Sequence, residues 1–245
     1  MVRVERQERV EVITLDRPER RNAVDHATVV ALLAAQEALA SQAPDEVRAV
    51  VLTGAPPAFS AGADLTGVEQ GDFARDLRRV LLGFGRLPIP VIAAVDGPAL
   101  GAGSQLAIAC DLRVATASSV FGIPAAKLGL AVDHWTIRRL SSEFSPPIAR
   151  AMLVAAEVYS GEQLHRTGAV HRLGDLDAAV TWAHDLAQLA PLTMTAHKLG
   201  LERDGIEPSA VEEFEQAFQQ AWTSDDVREG RAAFLEKRPA DFAGR

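Results

Sequence analysis

The sequence predicts an α/β fold, a core of strands alternating with helices followed by a helical C-terminal part. Three observations carry this. VRAVVLT over 47–53 and VIAAV over 91–95 are β-branched or small apolar runs bounded by Gly or Pro, the pattern of strands buried on both faces. Between them, 72–83 has helical apolar spacing. In the second half, helix-length segments open on capping residues.

In chain order, 2–6 and Val10–Leu15 alternate apolar and polar residues and read as a hairpin or two short strands, closed by Arg17-Pro18. Asp25 is placed to cap a helix over about 26–40, with Val29, Val30, Leu32 and Leu33 as its apolar face. The 47–53 strand ends at Gly54, and a loop rich in Ala, Gly and Pro runs on to Gly62. The next helix presents Phe73, Leu77, Val80 and Leu81. Pro90 precedes the second buried strand. Gly97-Pro98 then turns the chain into LGAGSQLAIAC, read as a helix, and DLRVAT over 111–116 returns as a strand. Strand, crossover, strand implies parallel, right-handed crossovers in one sheet.

Ser145-Pro146 reads as the start of a helix, Ser as cap and Pro at the first helical position. Ser160 and Gln163 form a capping box before a short helix that ends near Gly168. Segments 175–189 and 192–203 read as helices. Ser209 and Glu212 form another box, opening a helix to Trp222, and a last helix over about 225–237 is stopped by Pro239. No linker or solenoid repeat interrupts the chain. The expected organisation is a core over 1–190 and a helical region over 191–245 of the same unit.

The chain has 245 residues, 48% hydrophobic and 24% charged, which suits one globular unit rather than a disordered chain. Its net charge of −8 argues against a nucleic-acid binder. One cysteine, Cys110, cannot form an internal disulfide, and no Cys/His cluster has metal-ligand spacing, so no metal is expected. The charged, alternating start is unlike a signal peptide, and no apolar run is long enough to span a membrane. The expected compartment is the cytoplasm.

Two small-residue segments carry the chemistry: AFSAGADL over 58–65 and GPALGAGSQ over 97–105, each following a strand. Small residues let a ligand approach the backbone, and a helix N-terminus aims unpaired N–H groups at it. Two amides converging on one oxygen would form an oxyanion hole; tight packing of small residues explains the same pattern. Neither segment has the lysine of a phosphate-binding loop, and there is no G-x-S-x-G elbow.

FSAGADL and PVIAAVDGPALGAGSQLAIACDLRVAT together closely resemble the enoyl-CoA hydratase/isomerase family, the crotonase superfamily. LDRPERRNAV, AVVLTG, FGIPAAKLGL, LAPLTMTAHK and FLEKRPADF extend the resemblance over nearly the whole chain. It implies a crotonase-like β-β-α spiral core, a C-terminal helical trimerisation region, and a homotrimer or hexamer. It also implies acyl-CoA thioesters as ligand or substrate, no further cofactor, and a thioester oxygen held by the backbone amides of Ala63 and Ala102.

The chain departs from the family pattern where the hydratases carry two glutamates. One position is Gln105; the other, in FGIPA, is Ala125. Hydration needs a base for water and an acid for carbon, each role contributing about 10²–10⁴ in rate. Glutamine cannot titrate and alanine does neither, so ordinary hydratase activity is not expected. Asp133 matches an aspartate that is catalytic in some relatives, which implies an alternative: an isomerase or hydratase acting on an enoyl- or dienoyl-CoA. Asp133 also suits a helix cap. His134 is a candidate partner for it, and Trp135 is either core or a wall of the acyl tunnel.

With both glutamates absent, KLGLAVDHWTIRRLSS resembles a mycobacterial-type subgroup that binds long-chain acyl-CoA without hydrating it. That implies a role in lipid metabolism, supplying acyl chains to mycolic-acid synthesis, with fatty-acid synthesis enzymes as partners. For the CoA moiety, the resemblance points to Arg20, Arg21 and Lys237 for phosphate, Phe234 beside the adenine, and Ala61, Asp64 and Leu65 along the adenine and pantetheine. For the arginines, exposed solvated charge is the competing reading.

Overall fold

The computed structural model describes residues 1–64, 72–128, 130–202, 216, 219–220 and 223–245, with the side chains of 231, 234 and 235 left aside. Strands β1 (Val2–Gln7), β2 (Val10–Leu15), β3 (Ala49–Gly54), β4 (Val91–Val95), β6 (Leu112–Ala115) and β9 (Arg172–Leu173) form one sheet in the order β1-β2-β3-β4-β6-β9. Only the β1–β2 pair in it is antiparallel. A second sheet joins β5 (Pro98–Leu100), β7 (Val120–Gly122) and β8 (Val158–Ser160).

Alternation along the central strands sorts the core onto two faces. Ile13, Leu15, Val50, Leu52, Val91, Ala93 and Val95 pack toward α1 (His26–Gln42), α2 (Asp72–Arg86) and α3 (Ala102–Ala109). Val10, Val12, Val51, Ile92, Ala94 and Val114 face Ala179, Ala183 and Ala187 of α7 (Leu176–Ala187), whose small residues at every fourth position let the helix approach the sheet closely. The remaining helices are α4 (His134–Phe144), α5 (Pro146–Val154), α6 (Gly161–Arg166), α8 (Pro191–Glu202) and α9 (Asp225–Glu236).

Local caps follow the sequence. Asp25 accepts from Thr28 N–H, Asp175 from Ala178 N–H, and Ser160 and Gln163 make both bonds of the capping box. Three expectations change. Val30 is exposed while Thr28, Val29, Leu32, Ala35, Gln36 and Leu39 are buried, because at about 100° per residue position 30 falls on the side of the helix opposite the middle of that buried stripe. Ser145 sits at the cap position of α5 with φ 78° and no side-chain bond, since the same residue ends α4 in a tight reversal. The helix expected from Leu100 begins at Ala102 instead, because residues 98–100 form β5. The predicted box at Ser209 and Glu212 lies outside the described residues.

Candidate functional site

The two small-residue loops meet at the N-terminus of α3. Gly62 adopts φ 113° and Gly101 φ 51°, backbone conformations open to glycine at little cost. A Cβ at Gly62 would lie 3.1 Å from the Leu100 carbonyl oxygen and 3.9 Å from the Ala102 nitrogen. The first loop is held by Val24: its N–H donates to the Gly62 carbonyl at 2.8 Å, and its own carbonyl accepts from Asp64 N–H at 2.8 Å. The second is held by Gly101 N–H donating to the Gly122 carbonyl at 2.8 Å. Among the described residues, neither the Ala63 nor the Ala102 amide N–H has a hydrogen-bond partner. The chain thus ties down the residues around these two amides and leaves the amides themselves available.

Buried polar side chains brace the loops from behind. Asn22 Nδ2 donates to the carbonyls of Ala55 and Ala58, both at 2.6 Å. Ser60 Oγ donates to the Asn22 carbonyl at 2.8 Å, and Ser104 Oγ donates to the Ala99 carbonyl at 2.6 Å while accepting from Gly122 N–H at 3.0 Å. Sequence reasoning did not single out these three as functional. Asn22 in RRNAV and Ser60 in FSAG lie within the quoted motifs, and polar residues flanking glycines were the available signal.

A cavity of about 550 Å³ opens from these loops. Ala63, Ala102, Gln105, Ile123 and Ala125 line it, and α2, Leu128 and residues 130–133 add further wall. Gln105 Nε2 donates to Thr136 Oγ1 at 2.7 Å. Among the described residues, Asp133 is the carboxylate in the lining; its Oδ1 accepts from Thr136 N–H at 3.0 Å, so it caps α4, and its Oδ2 pairs with Arg78 at 3.2 Å. Both readings of Asp133 therefore meet in one residue: it is a cap, and it faces the cavity. His134 is exposed. Trp135 is half-buried against the core and is not among the cavity-lining residues, whereas Leu77, Leu81 and Val132 are. Arg75 and Arg78 line the cavity and were not anticipated, because α2 meets Asp133 and its neighbours 130–132 only in three dimensions.

The remaining candidates lie around the rim or beyond it. Ala61 is exposed and its N–H donates to the Arg21 carbonyl at 2.9 Å. Asp64 is held by Arg17 at 3.1 Å, and Arg17 also pairs with Asp25. Arg20 and Arg21 are exposed and outside the cavity lining. Lys237 is exposed just past the end of α9, with φ 55°. Leu65 and the side chain of Phe234 lie outside what is described.

Other reactive groups are accounted for structurally. Cys110 is fully buried, and burial pushes its thiol up to about 12, which leaves it inert as a nucleophile. Hydrogen bonds from Arg75, then His26 and Arg79, hold the Asp76 carboxyl well below the usual range. Among the described residues, no three His, Cys, Asp or Glu side chains are grouped to hold a metal ion, and no helix is long and apolar enough to cross a membrane.

Comparison with known proteins agrees with this geometry. A family model described as enoyl-CoA hydratase/isomerase matches residues 5–245. The chain is 42% identical over 245 residues to a Mycobacterium tuberculosis protein named "Probable enoyl-CoA hydratase echA6", covering 100% of both. It is 33% identical to the 2,3-dehydroadipyl-CoA hydratase of Escherichia coli, covering 99% of this chain and 98% of that one. Among solved structures, an enoyl-CoA hydratase from Bacillus anthracis superposes with a TM-score of 0.90 at 26% identity, covering 100% of this chain and 99% of the other.

Proposed function

The chain belongs to the enoyl-CoA hydratase/isomerase family, and from that premise we propose that it binds a long-chain fatty acyl-CoA thioester without hydrating it. The thioester oxygen sits between the Ala63 and Ala102 amides, and the acyl chain runs past Ala125 toward residues 130–133. The observation that carries the reading is the composition of the cavity wall. Where the resemblance places two glutamates, the lining has an amide bound to Thr136 and a methyl group. The amide does not titrate near neutral pH and the methyl group carries no proton donor or acceptor, so neither position supplies the acid or the base that hydration needs. The apolar lining beside them suits an alkyl chain, whose burial drives binding.

In this reading the protein is a carrier or sensor of acyl-CoA in lipid metabolism, passing acyl chains to fatty-acid or mycolic-acid synthesis. It works as a homotrimer or hexamer in the cytoplasm, with Lys237 and one of Arg20 or Arg21 on the CoA phosphates. The test is calorimetric titration with acyl-CoAs of graded length, then a turnover assay on crotonyl-CoA. Saturable binding with turnover far below the ordinary range of about 1–10³ s⁻¹ is expected. Turnover within that range overturns the proposal.

A second reading rests on Asp133, the carboxylate that lines the cavity. There the protein isomerises an enoyl- or dienoyl-CoA, with Asp133 moving a proton between carbons. Its sign is double-bond migration in a dienoyl-CoA that Asp133→Asn abolishes.

A further inference from the structure

The cavity has two walls at its rim, and an ion pair joins them. One wall is α2, which lines the floor with Phe73, Leu77 and Leu81 and the rim with Arg75 and Arg78. The other is formed by residues 130–133, which lead into α4. Arg78 Nη1 stands 3.2 Å from Asp133 Oδ2, with side chains 53% and 33% exposed. Leu77 and Leu81, by contrast, are 7% and 2% exposed. Along α2 the lining therefore passes from apolar floor to charged rim between neighbouring residues.

The pair is anchored on both sides. Asp133 cannot swing away without uncapping α4, because its other oxygen accepts from Thr136 N–H. Arg78 is fixed on a helix whose apolar face is in the core. Arg75 does not compete for Asp133, since it pairs with Asp72 and Asp76 of its own helix.

An alkyl chain laid on the apolar floor gains about fourfold in affinity for each methylene taken out of water. A methylene pressed against the rim pair gains much less, because it strips water from two charges. We infer that the Arg78–Asp133 pair is a specificity-determining element that fixes the acyl length at which further methylenes stop adding affinity. The inference rests on the reading that the cavity takes an acyl chain.

The experiment is a calorimetric series with saturated straight-chain acyl-CoAs, lengthened two carbons at a time. It compares the wild type with Arg78→Met, Arg78→Lys, and the double variant Arg78→Met/Asp133→Asn. Asparagine keeps the cap while removing the charge. In the wild type, affinity should climb with length and then level off. Arg78→Lys keeps the pair and should keep the levelling point. In the double variant, levelling should come two or more methylenes later, so that the longest ligands bind about tenfold tighter than they bind the wild type, and the shortest bind equally. Arg78→Met should fall between the two. The same levelling point in all four proteins overturns the inference and leaves the acyl-binding reading standing. A wild type that binds no acyl-CoA of any length overturns that reading, and the inference with it. Arg78 is half exposed, so Arg78→Met should melt close to the wild type and its binding curve can be read directly.

Discussion

Gln105 Nε2 donates to Thr136 Oγ1 at 2.7 Å, and Thr136 N–H in turn donates to Asp133 Oδ1 at 3.0 Å. The side chain at the first glutamate position is thereby tied to the start of α4, and through it to Asp133, the acid that faces the cavity among the described residues. The link joins Gln105, Thr136 and Asp133, polar groups at the cavity and at the start of α4, into one hydrogen-bonded chain.

Restoring one carboxylate should not restore hydration. Gln105→Glu can accept the Thr136 hydroxyl hydrogen and keep the scaffold, but Ala125 still leaves one proton-transfer role unfilled. Loss of crotonyl-CoA absorbance should remain far slower than about 1 s⁻¹. Recovery of ordinary turnover by this single change would show that one carboxylate suffices.

Ala125→Glu should discriminate by chain length. Its side chain enters the cavity, where a carboxylate beside an alkyl chain must lose water. Long acyl chains should weaken by about tenfold more than short ones. Trp135→Ala is the contrast: packed on the core and outside the lining, it should lower unfolding free energy by about 2 kcal/mol with no preference for length. A length-dependent loss in Trp135→Ala would return that residue to the tunnel wall.

Lys237→Ala should weaken acyl-CoA by about fivefold while leaving acyl-pantetheine unchanged, because exposed charge contacts contribute at most about 1 kcal/mol. The wild-type affinity for acyl-CoA should also fall as salt is raised. Equal losses for both ligands would make the lysine structural.

Stability should fall as pH drops from about 6.5 to about 4. Burial, then the nearby Arg113 charge, pushes the His171 imidazole down to about 4, while the ring accepts Arg113 N–H at Nδ1. The unfolded chain takes up this proton near 6.5 and the folded chain only near 4, so acid favours unfolding between the two values. The residue keeps substantial solvent exposure, which limits the effect. Urea midpoints measured across this window should decline for the wild type and flatten for His171→Gln. An unchanged slope in the variant would assign the decline to other groups.

Everything that depends on near neighbours in the chain was legible in the sequence. The buried runs at β3 and β4, the caps at Asp25, Asp133 and Ser160, and the two small-residue loops act over three or four residues, so their pattern is written locally. The loss of both glutamates was equally plain, because it is a matter of residue identity. The tertiary structure alone decided which side of α1 faces inward, leaving Val30 outside, and that Ser145 ends one helix rather than capping the next. It alone formed β5, β7 and β8, three-residue strands too short to show a period. It also brought together Arg78 and Asp133, Gln105 and Thr136, Arg113 and Glu143, and Lys198 and Asp111, pairs separated by 30 to 87 residues. Such pairs form only when packed elements bring distant positions side by side, and single-sequence periodicity records which face of an element is buried, not which element it will meet.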